Sequence, residues 1–169
     1  MVWDRLTQLC RRVCRFCGDN LKHVCLGHRF PDRHHGTPTL SFTAVQSILS
    51  KCFQLESLVL LGLTLTAEDM EYLAVHCRQL KELKFERVKG LSVSSLRAVL
   101  DDVPHLEVFG VEACPDLTFK VVAETLLDLQ NHGLETLKTV ILTDVEGYTT
   151  EGARSLARRL SDGQNHSGV

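Results

Sequence analysis

An apolar pattern, L-x-x-L-x-L with the usual apolar substitutions, occurs five times along this chain of 169 residues. Its starting residues are Leu21, Leu55, Leu80, Leu106 and Leu137, which are 34, 25, 26 and 31 residues apart. Two of these spacings fall within the roughly 20–29 residues of a strand-and-helix repeat, and the longer two indicate insertions. Because one such unit cannot bury its apolar face alone, the five units must stack on one another.

Each copy of the pattern predicts a short strand followed by a helix. The predicted strands lie near residues 21–26, 55–60, 80–85, 106–111 and 137–142. A hydroxyl residue suited to cap the following helix comes after each strand, namely Ser41, Thr66, Ser92, Thr118 and Thr149. Amphipathic runs at helical spacing follow these caps. The chain is therefore predicted to be an α/β leucine-rich-repeat solenoid of about five repeats, with a curved parallel sheet and helices on the convex side.

The repeats account for nearly the whole chain. We expect one domain over residues 1–160, beginning with a capping helix, and a disordered polar tail over residues 161–169. Within the domain, Leu58, Leu83 and Phe109 occupy the middle apolar position of successive strands. They are predicted to form a shared buried ladder.

The composition is that of an ordinary globular domain, with 44% hydrophobic residues, 6% aromatic residues and a formal net charge of -2. Neither the charge nor the aromatic content favours a nucleic-acid or membrane-surface binder. No apolar stretch has transmembrane length, and Asp4 and Arg5 interrupt the start, unlike a secretory signal. The 7 cysteines accompany the repeat leucines, which favours reduced thiols in the cytoplasm or nucleus.

The sequence contains no constellation that predicts catalysis. It has no G-x-S-x-G, no phosphate-binding glycine loop and no H-E-x-x-H. We therefore expect a chain that is not an enzyme and that carries no cofactor.

One set of residues allows a metal-binding alternative. Cys14-x-x-Cys17, followed by His28 and His34, resembles a zinc-finger ligand set. The repeat interpretation explains both cysteines as structural residues near the end of the capping helix, and we favour it. The His-rich insertion between Gly27 and Gly36 is interpreted as a surface loop, either solvated or binding.

The surface left for function is the sheet face opposite the helices. Because strand side chains alternate, the residues flanking each middle apolar position point away from the core. The candidate partner-binding residues are His23, Ser57, Val59, Leu61, Glu82, Lys84, Glu86, Val108, Glu112, Thr139 and Ile141. Leu61 and Lys84 are expected to matter for binding and not for folding, and a target protein is the expected partner. The alternative is that Val59 and Leu61 are covered by a terminal segment or are ordinary exposed apolar residues.

The cysteines give the repeat a more specific resemblance. Cys52 and Cys77 each precede a repeat leucine by three residues, and Cys114 follows Val111 by three. This arrangement resembles the cysteine-containing repeats of the F-box leucine-rich-repeat proteins, the substrate receptors of SCF ubiquitin ligases. The resemblance covers roughly residues 10–160 and implies a substrate-recognition module, with ubiquitin-ligase components as possible partners.

One part of that family's pattern is missing. The segment ahead of Leu21 is shorter than the helical F-box that docks the Skp adaptor, although Trp3-x-x-Leu6 resembles the W-x-x-L that closes many F-boxes. We therefore expect a relative that lacks a complete F-box and retains target binding.

Overall fold

The computed structural model describes residues 20–27, 42–130, 134 and 136–164. Strands and helices alternate along these residues. The strands are β1 His23–Gly27, β2 Ser57–Leu61, β3 Glu82–Glu86, β4 Val108–Glu112 and β5 Thr139–Thr143. The helices are α1 Phe42–Leu49, α2 Ala67–His76, α3 Val93–Asp101, α4 Phe119–Gln130 and α5 Thr150–Gln164. The predicted α/β repeat architecture is confirmed.

All five strands form one parallel sheet in chain order, β1-β2-β3-β4-β5. Each strand begins two residues after the leucine that starts its pattern. That leucine lies in a tight turn instead: the Leu80 amide donates to the Cys77 carbonyl at 3.0 Å, and the Leu106 amide donates to the Val103 carbonyl at 3.2 Å. In the last four repeats the first leucine of the pattern is therefore a buried turn residue that leads the chain into the strand, whereas Leu21 is half-buried.

The core is a continuous layer between the sheet and the helices. Leu58, Leu83 and Phe109 are each 0% exposed, which confirms their predicted burial. Phe85 and Phe109 from neighbouring strands pack edge to face, with ring centroids 6.4 Å apart. The sheet and helices thus bury one another through a single apolar layer, as stacked repeats require.

Side-chain caps fix where the helices begin. Thr66 and Ser92 each form a complete capping box with the residue three positions later. The Thr118 hydroxyl accepts from the Val121 amide at 3.4 Å, and the Thr149 hydroxyl accepts from the Gly152 amide at 3.0 Å. Four of the five predicted caps are confirmed, and Ser41 lies outside the described residues.

The residue after each of the last four strands adopts a left-handed backbone conformation. Gly62, Arg87, Ala113 and Asp144 have φ of 60°, 51°, 49° and 50°. The amides of the first three donate to the last carbonyl of the following strand, as from Gly62 to Glu86 at 2.8 Å. This bond recurs between successive repeats, so the same turn is kept even where the residue is not glycine.

The predicted domain boundaries need one correction. Helix α5 continues to Gln164, so a disordered tail does not begin at Ser161. Its amphipathic pattern ends near Leu160, and the helix continues for one more turn through polar residues. The predicted capping helix in residues 1–19 and the end of the tail, 165–169, lie outside the described residues.

No helix in the described part of the chain is long and apolar enough to cross a membrane.

Candidate functional site

The concave face is the sheet face opposite the helices, and strand register divides it into three rows. The upper row holds His23, Ser57, Glu82, Val108 and Thr139. The middle row holds Cys25, Val59, Lys84, Gly110 and Ile141. The lower row holds Gly27, Leu61, Glu86, Glu112 and Thr143. The register therefore brings all eleven candidate residues onto one face.

A hydrogen-bonded polar network joins Ser57 and Glu82 of the upper row to Lys84 of the middle row. The Ser57 hydroxyl donates to Glu82 Oε2 at 2.7 Å, and Lys84 Nζ lies 2.5 Å from Glu82 Oε1. The hydrogen bond from Lys84, followed by that from Ser57, lowers the pKa of the Glu82 carboxyl. Glu82 and Lys84 thus neutralise each other and hold each other in place.

Gly110 makes room for the Lys84 side chain. A Cβ at Gly110 would lie 2.7 Å from Lys84 Cγ and 3.3 Å from Cδ. The aliphatic stem of Lys84 therefore lies flat over the backbone of β4, and its ammonium group folds back to Glu82. The absence of a side chain at residue 110 lets the lysine cover the sheet rather than stand free of it.

The lower row differs because its charges are not neutralised within the sheet. Glu86 and Glu112 are register partners on β3 and β4, and both are half-buried. Among the described residues, neither carboxylate makes a salt bridge. Two carboxylates thus lie in register beside the Glu82–Lys84 ion pair, without a salt bridge from any described residue.

Two candidate residues are less accessible than the sequence predicted. Leu61 is 7% exposed and Ser57 is 6% exposed, so both are buried. The Ser57 hydroxyl is hydrogen-bonded to Glu82 on the neighbouring strand, whereas Val59, which lies between the two buried residues on the same face of β2, is half-buried. The sequence placed Leu61 on this face correctly but predicted too much exposure for it.

The remaining apolar positions form a discontinuous surface. Val59 and Val108 are half-buried, whereas Ile141 on the last strand is 36% exposed. His23 and Thr139 are exposed at the two ends of the upper row. The most exposed apolar side chain on this face therefore lies on β5.

A second charged feature, absent from the sequence predictions, runs along the edge where the strands begin. The residue before each strand is charged, and its sign alternates: Lys22, Glu56, Lys81, Glu107 and Lys138. Glu56 lies between two lysines, 2.7 Å from Lys22 Nζ and 2.8 Å from Lys81 Nζ. Lys138 Nζ lies 2.8 Å from Glu107. We call this row the charge ladder.

The lysines of the charge ladder lower the pKa values of its two acids. Hydrogen bonds from Lys22 and then Lys81 lower the pKa of Glu56 from 4.5 to about 2. The hydrogen bond from Lys138 lowers the pKa of Glu107. The sequence shows one charged residue before each predicted strand. Which of these residues form ion pairs becomes clear only from the strand register.

The described cysteines carry thiols rather than disulfides. Cys52, Cys77 and Cys114 are buried in the core, and burial raises the pKa of the Cys77 thiol to about 12. Desolvation also raises the pKa of the Cys114 thiol. These three are structural cysteines that fill the apolar layer, and the raised pKa values of the Cys77 and Cys114 thiols disfavour reactivity.

The zinc alternative rests on Cys14, Cys17, His28 and His34, which lie outside the described residues. Within the described ranges, no cluster of three His, Cys, Asp or Glu side chains could hold a metal ion.

Comparison with known proteins supports the fold. No protein-family model and no curated protein sequence matches the chain. Among solved structures, the chain is similar to the tropomodulin C-terminal domain of Caenorhabditis elegans, with a TM-score of 0.60 and 13% identity over 95% of each chain. It also matches Chaetomium Mex67:Mtr2 subunits with a TM-score of 0.43 and 16% identity, over 71% of this chain and 76% of that one. The first similarity supports the repeat fold found here.

Proposed function

We propose that this chain is a non-catalytic protein-binding module that holds a target protein on its concave face. The observation that carries the proposal is the lower row, where Glu86 and Glu112 lie side by side without a salt bridge among the described residues. Glu82 on the same face is neutralised by Lys84. The carboxylates left over are available to a partner.

The geometry favours a partner with a basic side chain at the centre of its contact surface. An arginine can bond both carboxylates through its planar fork, and such charge-assisted bonds are stronger than neutral ones. Apolar contact with Val59 and Ile141 would lie in the row above. These side chains lie on a sheet, so no loop has to become ordered when a partner binds. This lowers the entropic cost of association.

The finer proposal concerns the class of module. The cysteine-containing pattern around Cys52 and Cys77 supports a substrate-receptor role of the F-box leucine-rich-repeat type, acting in the cytoplasm or nucleus. The target would then be a protein destined for ubiquitination, and ubiquitin-ligase components would be further partners. A binding assay between the purified chain and the Skp adaptor tests this part separately, and no measurable binding would contradict a complete receptor role.

The concave-face proposal is tested with a charge-reversed variant, Glu86→Lys with Glu112→Lys. A photo-crosslinking amino acid placed at Ile141 should capture target proteins in extract from the wild-type background and lose them in this variant. The matched control is Glu68→Lys with Glu71→Lys on the exposed side of α2, which changes net charge equally. Capture that survives the first pair and disappears with the second would contradict the proposal, provided both variants melt normally.

A further inference from the structure

A groove lies beside the last strand of the sheet. Strand β5 is paired with β4 on one side, and no described strand lies on its other side. Between β5 and α5 lies a groove of about 340 Å³. We call it the β5 groove; its apolar lining includes Val140, Leu142, Tyr148, Leu156, Ala157 and Leu160.

The β5 groove is the site that the core of a sixth repeat would fill. Val140 and Leu142 occupy the same register positions as Phe109 and Val111, yet they are only half-buried. Phe109 is 0% exposed and Val111 is 1% exposed, because β5 covers them. An added strand with two apolar residues at these positions would bury Val140 and Leu142 in the same way.

The charge ladder indicates which charge a strand added beside β5 should carry. Each ladder acid lies beside a ladder lysine, and the row ends at Lys138, which contacts Glu107 on its inner side. The alternation therefore calls for an acidic residue on the outer side of Lys138. Arg154 and Arg158, exposed on α5 one residue after the groove-lining Ala153 and Ala157, add positive charge at this end.

The same ladder argues against two other occupants. A second copy of this chain stacked in register would place its Lys22 against Lys138, and like charges would oppose each other. Residues 165–169, Asn-His-Ser-Gly-Val, contain no Asp or Glu and one apolar residue, so they do not supply the pattern.

We propose that the exposed edge of β5 binds an extended segment of a partner protein, in which an acidic residue precedes two apolar residues spaced two apart. The segment adds a sixth parallel strand, its acid pairs with Lys138, and its apolar side chains fill the β5 groove. This site is separate from the concave face, and neither proposal depends on the other.

The probe is a labelled synthetic peptide with the sequence of residues 104–113, PHLEVFGVEA, which contains strand β4 and its ladder acid, Glu107. Its partner probe is the same peptide with Glu107→Lys. Fluorescence anisotropy at low salt should show the wild-type chain favouring the acidic probe by about fivefold, the size of one exposed ion pair. The Lys138→Glu variant should reverse this preference, whereas Lys51→Glu, an exposed charge change in the turn after α1, should leave it unchanged.

A second variant tests the groove without relying on charge pairing. Ala157 is exposed, so Ala157→Arg should fold normally while its side chain fills the β5 groove and weakens both probes at least about tenfold. Equal binding of the two probes, an unchanged preference in Lys138→Glu, or full binding by Ala157→Arg would overturn the proposal.

Binding that appears only after deletion of residues 165–169 would assign the groove to the chain's own tail. A concentration-dependent dimer that Ala157→Arg abolishes would assign it to a second copy. Either result would also overturn the proposal.

Discussion

The inner repeats and the last repeat share one sequence pattern but differ in burial. In β3, Leu83 and Phe85 are both 0% exposed. In β5, the equivalent Val140 and Leu142 are half-buried and line an open groove. The difference comes from neighbouring strands, because β3 has a strand on each side, whereas among the described strands β5 pairs with β4 alone. In a stacked fold, the pattern decides which way a side chain points and the adjacent repeat decides how deeply it is buried.

Truncating equivalent core side chains should give the largest difference in the free energy of unfolding between the inner repeats and the last repeat. Leu83→Ala should lower the free energy of unfolding by about 2–5 kcal/mol, as for other fully buried leucines. Leu142→Ala should cost roughly 1 kcal/mol, because water already reaches its site. Denaturant melts of both variants measure the two losses in the free energy of unfolding. Equal losses would contradict the difference in burial.

Two glycines with similar backbone conformations provide the next comparison. Gly90 has φ of 81°, and a Cβ there would lie 2.0 Å from the Leu65 carbonyl oxygen of the preceding repeat. Gly147 has φ of 75°, but a Cβ there would meet nothing within 4 Å. Gly147→Ala should therefore cost only backbone strain, about 1 kcal/mol, and Gly90→Ala should cost roughly 2–3 kcal/mol. Similar melting temperatures would show that contact between repeats does not constrain this loop.

Helix caps should give a smaller difference. Thr66 forms a reciprocal capping box with Asp69, whereas Thr149 accepts one bond from Gly152. Thr66→Ala should cost about 1 kcal/mol, within the range for lost caps, and Thr149→Ala should cost less. Thermal melts of the two variants test this order, and a larger loss for Thr149→Ala would reverse it.

The charge ladder should contribute least, and only above acidic pH. The pKa of Glu56 is lowered from 4.5 to about 2 in the folded chain, so its carboxylate stabilises the fold above pH 4.5. That contribution is lost as pH falls from 4.5 through about 2, where the folded chain also takes up the proton. Glu56→Gln should therefore melt slightly lower than wild type at neutral pH and equally near pH 2. The exposed control Glu68→Gln should show no such dependence, and an effect that grows on acidification would contradict the assignment.

The sequence was sufficient for the architecture because the leucine pattern repeats. It placed every strand within two residues and located the caps of α2, α3, α4 and α5, since both depend on neighbours close in the chain. It did not predict the burial of Leu61 and Ser57, because contacts such as that of Ser57 with Glu82 join residues far apart in the chain. It also missed the charge ladder, because Lys22 and Glu56 become partners only once the strands are in register.

Amide hydrogen exchange tests the stacked arrangement most directly. Exchange rates should be slowest in β3, whose neighbours cover both edges, and faster in β5, whose outer edge has no described strand beside it. Leu83 and Phe85 should exchange near the rate of global unfolding, and Val140 and Leu142 should exchange faster. If β5 proved as protected as β3 in the isolated chain, the last repeat would be covered, and the account of an open end would be wrong.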